Sequence, residues 1–131
     1  MWKHLPLDIH KDAPGAHIAA MAASKQGKFW EFHDKLFENQ KELNAPSYRK
    51  HAQAVGLDTA RFEKDLLDLT IMKSIDEDKA EAKELGVTGT PGFFVNGRFL
   101  SGARPFDDFA KLIDAELTRL NLPLPPKPAG N

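Results

Sequence analysis

The segment Gly89-Thr90-Pro91-Gly92 contains the residues of this chain that most clearly suggest chemistry. It runs into an apolar stretch at residues 93–95 and an Asn96-Gly97 pair. Cis peptide bonds are essentially confined to proline and usually mark a functional turn, so we predict a cis bond between Thr90 and Pro91 at the start of a strand. The 131-residue chain has no cysteine, which excludes disulfides, thiolate zinc sites and a cysteine nucleophile within it.

The histidines raise the question of a metal site, because several lie near carboxylates in the sequence. Their spacing fits no common ligand pattern, such as the i, i+4 pair of a zinc-protease helix. We therefore predict no metal site and no cofactor, and we expect surface or half-buried positions for His10, His17, His33 and His51.

Aromatic residues are concentrated in one helical stretch. Phe29, Phe32 and Phe37 recur at helical spacing, with Trp30 beside them. Such spacing is typical of a buried helix face, and a small-molecule cleft is the alternative interpretation. His33 and Asp34 are adjacent, so on a helix they point about 100° apart and cannot form an acid–base dyad.

Length and charge limit the classes of protein. A chain of 131 residues fits one domain, and its 18 basic and 19 acidic residues create no field that favours nucleic acid. No apolar run approaches the length of about 20 residues that a membrane span needs, and the first residues do not resemble a signal peptide. Cysteine content does not identify a compartment, so localisation is left open.

Local patterns predict a strand at residues 2–5, followed by a block of helices. The first helix has Asp12 as its cap, Pro14 in its first turn and Gly27 beyond its end. The second covers about residues 28–40. Ser47 is predicted to cap a third helix, which ends near Gly56. Asp58 is predicted to cap a fourth, with Phe62, Leu66 and Leu69 on one side. Residues 70–85 are predicted to continue helically until Gly86.

The period changes after Gly89. Residues 93–95 and 98–100 flank Asn96-Gly97, a pair that favours a two-residue β-hairpin turn. Pro105 is predicted to open a final helix with one apolar face, formed by Phe106, Phe109, Ala110, Ile113, Leu117 and Leu120. The tail at residues 122–131 is rich in proline and is expected to be extended or disordered.

Four stretches together resemble the DsbA-like branch of the thioredoxin superfamily, over nearly the whole chain. They are Lys3-His4-Leu5-Pro6-Leu7, the helix pair around Gln26-Gly27-Lys28-Phe29-Trp30, the segment from Gly86 to Gly97, and Ser101-Gly102-Ala103-Arg104-Pro105-Phe106. The resemblance implies a mixed α/β fold. We expect an incomplete thioredoxin-like domain at residues 1–121, with a helical insertion at about 12–85 and a C-terminal β-hairpin plus helix.

Members of this family normally begin with a strand and a Cys-x-x-Cys motif that opens a helix. This chain resembles a member without those parts. In the family's sheet the missing strand lies between the strands corresponding to residues 2–5 and 93–95, which would leave a gap of about 9.6 Å. Three outcomes would remove this gap: the two strands pair directly, a second chain supplies a strand, or the N-terminal segment detaches. Exposed edges and apolar surface favour association, so we expect a homo-oligomer or a strand-complemented assembly.

The resemblance also assigns Thr90 and Pro91 to the substrate side of the family's working site, where an extended peptide pairs with the backbone before the proline. The alternative is that Pro91 simply starts a strand, where no donor is needed. No catalytic residue is predicted, because the chemistry needs a thiolate at a helix N-terminus. An intact relative would act on exported proteins, which suggests a periplasmic or other extracytoplasmic parent.

Three functions remain open at this point. The first is a DsbA-like thiol–disulfide oxidoreductase homologue or fragment that is redox-inactive without its cysteines. The second is a non-catalytic peptide-binding or chaperone-like module. The third is a glutathione-transferase-like or isomerase activity on the same fold.

Overall fold

The computed structural model describes residues 1–126, which form two compact units with their boundary between Gly86 and Val87. The first unit contains the helices α1 (Ala13–Ser24), α2 (Phe29–Glu38), α3 (Ala45–Ala54), α4 (Thr59–Asp65) and α5 (Leu69–Glu84). The second contains the strands β1 (Gly92–Val95) and β2 (Arg98–Ser101) and the helix α6 (Phe106–Arg119). The mixed α/β class is as predicted.

The core of the first unit is built around the alanines of α1. Ala19, Ala22 and Ala23 are completely buried, and their small side chains allow α2 and α5 to approach α1 closely. Phe32 and Phe62 are also fully buried, and their ring centroids lie 5.4 Å apart. The aromatic face predicted for α2 is only partly buried, because Phe32 lies in the core and Phe37 is exposed.

Polar contacts attach the end of α1 to the start of α4. The Gln26 side-chain amide donates to the Asp58 carbonyl oxygen at 3.1 Å, and the Asp58 N–H donates to Gln26 Oε1 at 3.0 Å. Arg61 donates to the carbonyl oxygen of Lys25 at 2.9 Å. Lys25 also forms ion pairs with Asp65 and Asp68, and its contact with Asp68 holds the pKa of that carboxyl down at about 2.

The predicted helix ends are confirmed in part. Asp58 caps α4 as predicted, by accepting a hydrogen bond from the Arg61 N–H. The prediction for Ser47 is wrong: Asn44 caps α3, and its side chain accepts from the Ser47 N–H at 3.1 Å. Residues 70–85 are helical up to Gly86 as predicted, but they form a separate helix, α5, because Asp68 caps it by accepting from the Thr70 N–H. Leu69 is accordingly exposed rather than packed beside Phe62.

The predicted strand at residues 2–5 is wrong. These residues have no regular secondary structure, and the sheet of the described chain consists of β1 and β2 alone. Side chains of α5 hold this segment in place instead. The His4 N–H donates to Asp78 Oδ2 at 2.8 Å, and Lys3 forms ion pairs with Asp78 and Glu81. We refer to residues 1–8 as the N-terminal segment.

The predicted hairpin of the second unit is confirmed. Residues Asn96 and Gly97 have φ values of 50° and 82°, as a two-residue turn with two left-handed positions requires. The antiparallel register pairs Phe94 with Phe99 and Gly92 with Ser101. α6 begins after Pro105 as predicted.

The apolar face predicted for α6 is not buried. Phe106, Ile113 and Leu120 are exposed, and the one buried residue of the helix is Glu116. Its carboxylate accepts hydrogen bonds from Asn96, Arg98 and Arg119, so a charged network joins α6 to the hairpin turn.

The first five residues of the predicted tail, 122–126, have no regular structure, and residues 127–131 lie outside the described part. None of the helices within residues 1–126 combines the length and the apolar character that crossing a membrane requires.

Candidate functional site: the Thr90-Pro91 loop and an aromatic cleft

The loop that precedes β1 presents Thr90 and Pro91 to solvent. It begins after Gly86, which has a φ of +70°, and the peptide bond between Thr90 and Pro91 is cis. The carbonyl oxygen of Pro91 accepts a hydrogen bond from the Gly102 N–H at 2.8 Å. This bond extends the hairpin pairing by one step and fixes the exit of the loop.

Close packing around Gly92 holds Val87, at the start of the loop, near β1. A Cβ atom at Gly92 would lie 3.1 Å from Phe99 Cε2 and 3.2 Å from Val87 Cγ1. Val87 therefore contacts the start of β1, which folds the loop back against its own strand. A side chain at position 92 would require Phe99 and Val87 to move by a few tenths of an ångström.

The main chain of Thr90 is unpaired within residues 1–126: neither its N–H nor its carbonyl oxygen takes part in a main-chain hydrogen bond there. The side chains of Thr90 and Pro91 are both exposed. An extended segment that met this loop would find an unpaired donor and an unpaired acceptor beside a rigid proline ring.

The first unit contains a cleft, which we call the aromatic cleft. Its volume is about 420 Å³, and it is lined by Trp2, His4, Met21, Ser24, Phe29, Trp30, Ser74 and Asp78. The rings of Trp2, Phe29 and Trp30 contact one another edge to face, with centroids 5.0 to 5.6 Å apart. Trp2 and Trp30 remain about half exposed.

Two histidines meet beside the aromatic cleft. The Nδ1 atoms of His4 and His17 are 2.7 Å apart, and the two rings stand at 73° to each other. His4 is buried and His17 half-buried, and burial lowers the pKa of His4 and brings that of His17 down to about 4. Both imidazoles are therefore neutral at pH 7, and one Nδ1–H donates to the other Nδ1.

Sequence reasoning singled out Thr90 and Pro91, whose binding role stays a prediction, and missed the contact of His4 with His17. These residues are 13 positions apart, on a segment without regular structure and on α1. Within the described residues, no group of three or more histidine, cysteine, aspartate or glutamate side chains is arranged to hold a metal ion. The chain also has no cysteine to supply a thiolate.

Comparison with known proteins identifies the family. Residues 3–114 match the family described as DSBA-like thioredoxin domain. The chain belongs to this family.

A solved structure agrees with this assignment. The crystal structure of a thioredoxin-like oxidoreductase from Silicibacter pomeroyi DSS-3 is 29% identical to the chain and superposes with a TM-score of 0.74. The match covers 82% of this chain and 62% of the other. The fold is therefore thioredoxin-like.

Several similar proteins have names that describe a different activity. The chain is 44% identical over 99 residues to a Na(+)/H(+) antiporter NhaA 3 of Salinispora tropica, and 46% identical over 99 residues to a Na(+)/H(+) antiporter NhaA 1 of Salinispora arenicola. Each match covers 75% of this chain but only 15% of the relative. The chain thus spans about 15% of the length of these relatives.

Proposed function

We propose that this chain is the substrate-binding part of a DsbA-like thiol–disulfide oxidoreductase and that these 131 residues alone do not catalyse dithiol exchange. The observation that carries the proposal is a chain of this family without a single cysteine. Thiol–disulfide exchange proceeds by attack of a thiolate on a disulfide sulfur, so a chain without thiols has neither a nucleophile nor a place to store the oxidising equivalents.

In this proposal Thr90 and Pro91 bind an extended peptide. The exposed, unpaired main chain of Thr90 supplies one donor and one acceptor, the usual basis of recognition by strand addition. Pro91 supplies a rigid surface beside them. Specificity would then depend on the peptide's backbone more than on its side chains.

The redox part of the proposal is tested by an insulin-reduction assay and a dithiol-oxidation assay on the purified chain. We expect rates equal to those of buffer with the same dithiol. Turnover that scales with the concentration of the cysteine-free chain would overturn this part.

The binding part is tested with a cysteine-free extended peptide and with the same peptide methylated at successive backbone nitrogens. We expect one methylation to weaken binding by about tenfold, because it removes a main-chain donor worth about 1.4 kcal/mol. Pro91→Ala should weaken binding as well, while Pro105→Ala, at another exposed proline of the same unit, should not. Equal affinity for every methylated peptide would contradict the backbone-pairing role.

A chaperone-like module is the second candidate, and one observation favours it. Phe93, Phe94 and Phe99 of the hairpin are each exposed by about two fifths, and exposed apolar surface of this kind can bind unfolded clients. Suppressed aggregation of a reduced client protein, without any specificity for backbone methylation, would favour this function over the first.

A further inference from the structure

We propose that His4, His17 and Met21 form a binding site for a monovalent copper ion, Cu(I), beside the aromatic cleft. The site lies wholly within the first unit and does not depend on the proposed peptide-binding role. It uses two imidazole nitrogens and one thioether sulfur.

The contact of the two imidazoles is the first reason. The Nδ1 atoms face each other at 2.7 Å. Once the proton of the donating ring has moved to its Nε2 atom, both Nδ1 atoms can bind one ion placed between them. Metal–imidazole bonds are about 2.0–2.1 Å long, so an ion shared by two nitrogens would hold them about 3.3–3.6 Å apart. Opening the contact by less than about 1 Å would therefore admit the ion.

The position of Met21 is the second reason. His17 and Met21 are four residues apart on α1, so their side chains lie on the same face of the helix. Met21 and His4 both line the aromatic cleft, so the thioether and one of the two imidazoles border the same space. A thioether is a soft ligand, and thioether with imidazole is the combination that selects Cu(I) over calcium or magnesium.

The surroundings of the histidine pair suit a cation that binds few ligands. His4 is buried and His17 half-buried, so few water molecules would compete for an ion bound between them. The aromatic rings of Trp2 and Phe29 contact His4 edge to face and shield it from water. Asp78, which also lines the cleft, accepts hydrogen bonds from Lys3 and from the His4 N–H.

The test is an anaerobic titration of the chain with Cu(I), kept reduced by ascorbate and offered in competition with a chromogenic Cu(I) chelator. We expect one ion per chain and an X-ray absorption spectrum with two nitrogen ligands and one sulfur ligand. His17→Asn should weaken binding by at least about tenfold, whereas His10→Asn, at an exposed histidine, should leave it unchanged.

Met21→Leu separates a copper site from a simple hydrogen-bonded histidine pair. The substitution nearly conserves volume, so the fold should persist by circular dichroism, while the sulfur ligand is lost and binding falls by at least about tenfold. No uptake of Cu(I), a spectrum without sulfur, or unchanged affinity in Met21→Leu would each overturn the proposal. So would a chain that binds Zn²⁺ and not Cu(I).

Discussion

The contacts of single side chains hold this protein's irregular parts in place. Glu116 is the clearest case, because its carboxylate is buried on α6 and is surrounded by three donor side chains. Asn96 reaches it from the hairpin turn at 2.9 Å, Arg98 from β2 at 3.2 Å, and Arg119 from the next turn of α6 at 2.9 and 3.0 Å. These bonds, with Arg119 as the largest cause, lower the pKa of Glu116 to about 2.

We predict that Glu116→Gln loosens the second unit at neutral pH, because the amide keeps the shape but loses the charge that Arg119 and Arg98 neutralise. A carboxyl with a lowered pKa stabilises the folded state above its unfolded pKa of 4.5 and loses that effect as pH falls through about 2. The difference between wild type and variant should therefore be full above pH 4.5 and shrink towards pH 2.

Hydrogen exchange of the α6 amides, corrected for the intrinsic pH dependence, measures this effect. Glu84→Gln is the control, since Glu84 is exposed at the end of α5 and forms no ion pair within the described residues. Equal protection of α6 in wild type and Glu116→Gln at pH 7 would show that the network does not stabilise the unit.

At the scale of elements, α1 organises the first unit through the small size of its side chains. Three of its alanines are completely buried, and it contacts every other helix of the unit. The contacts with α2 and α5 leave no room for a longer side chain at these positions. The helix thus positions both His17 and Met21 beside the N-terminal segment.

We predict that Ala19→Leu destabilises the first unit by about 1–3 kcal/mol, because extra methylene groups must displace a packed helix. The matched control is Ala80→Leu on the exposed face of α5, which should change stability by less than about 0.5 kcal/mol. Urea unfolding monitored by tryptophan fluorescence measures both, since both tryptophans lie in this unit. Equal unfolding midpoints for the two variants would contradict the packing argument.

The elements that the sequence predicts well are those with local causes. Asn96-Gly97 specifies its turn through two positive φ values, and Asp58 caps α4 with its own carboxylate, so neither depends on distant residues. Ser47 and Asn44 are both good caps, and the choice between them follows from the extended backbone of Asn44, which composition does not reveal. The strand predicted at residues 2–5 fails for the opposite reason, because its partner is the Asp78 carboxylate, 74 positions away from His4.

The same distinction between local and long-range causes applies to the Thr90-Pro91 loop and the proposed copper site. Thr90 and Pro91 are adjacent, so a sequence motif suffices to find them. His4, His17 and Met21 come together only when an irregular segment packs on α1, and no periodic signal connects a segment without secondary structure to a helix. Long-range contacts of this kind need the fold.

At the scale of the whole molecule, the distribution of apolar surface differs between the two units. The first has a continuous core of buried residues, from α1 through α5. In the second, the large apolar side chains of β1, β2 and α6 remain substantially exposed, and Phe106 is exposed by 79%. Each strand also pairs on one side only within the described residues, which leaves two unpaired edges.

We predict that the 14.6 kDa chain associates at micromolar concentration, because pairing of these strand edges and burial of the exposed phenylalanines both lower the free energy. Light scattering coupled to size exclusion should give a mass of at least two chains. Phe106→Glu should shift the distribution towards the monomer, while Phe37→Glu, at an exposed phenylalanine of the first unit, should shift it less. A well-folded monomer of the wild-type chain at this concentration would contradict the prediction and would mean that the apolar surface of the second unit is tolerated in water.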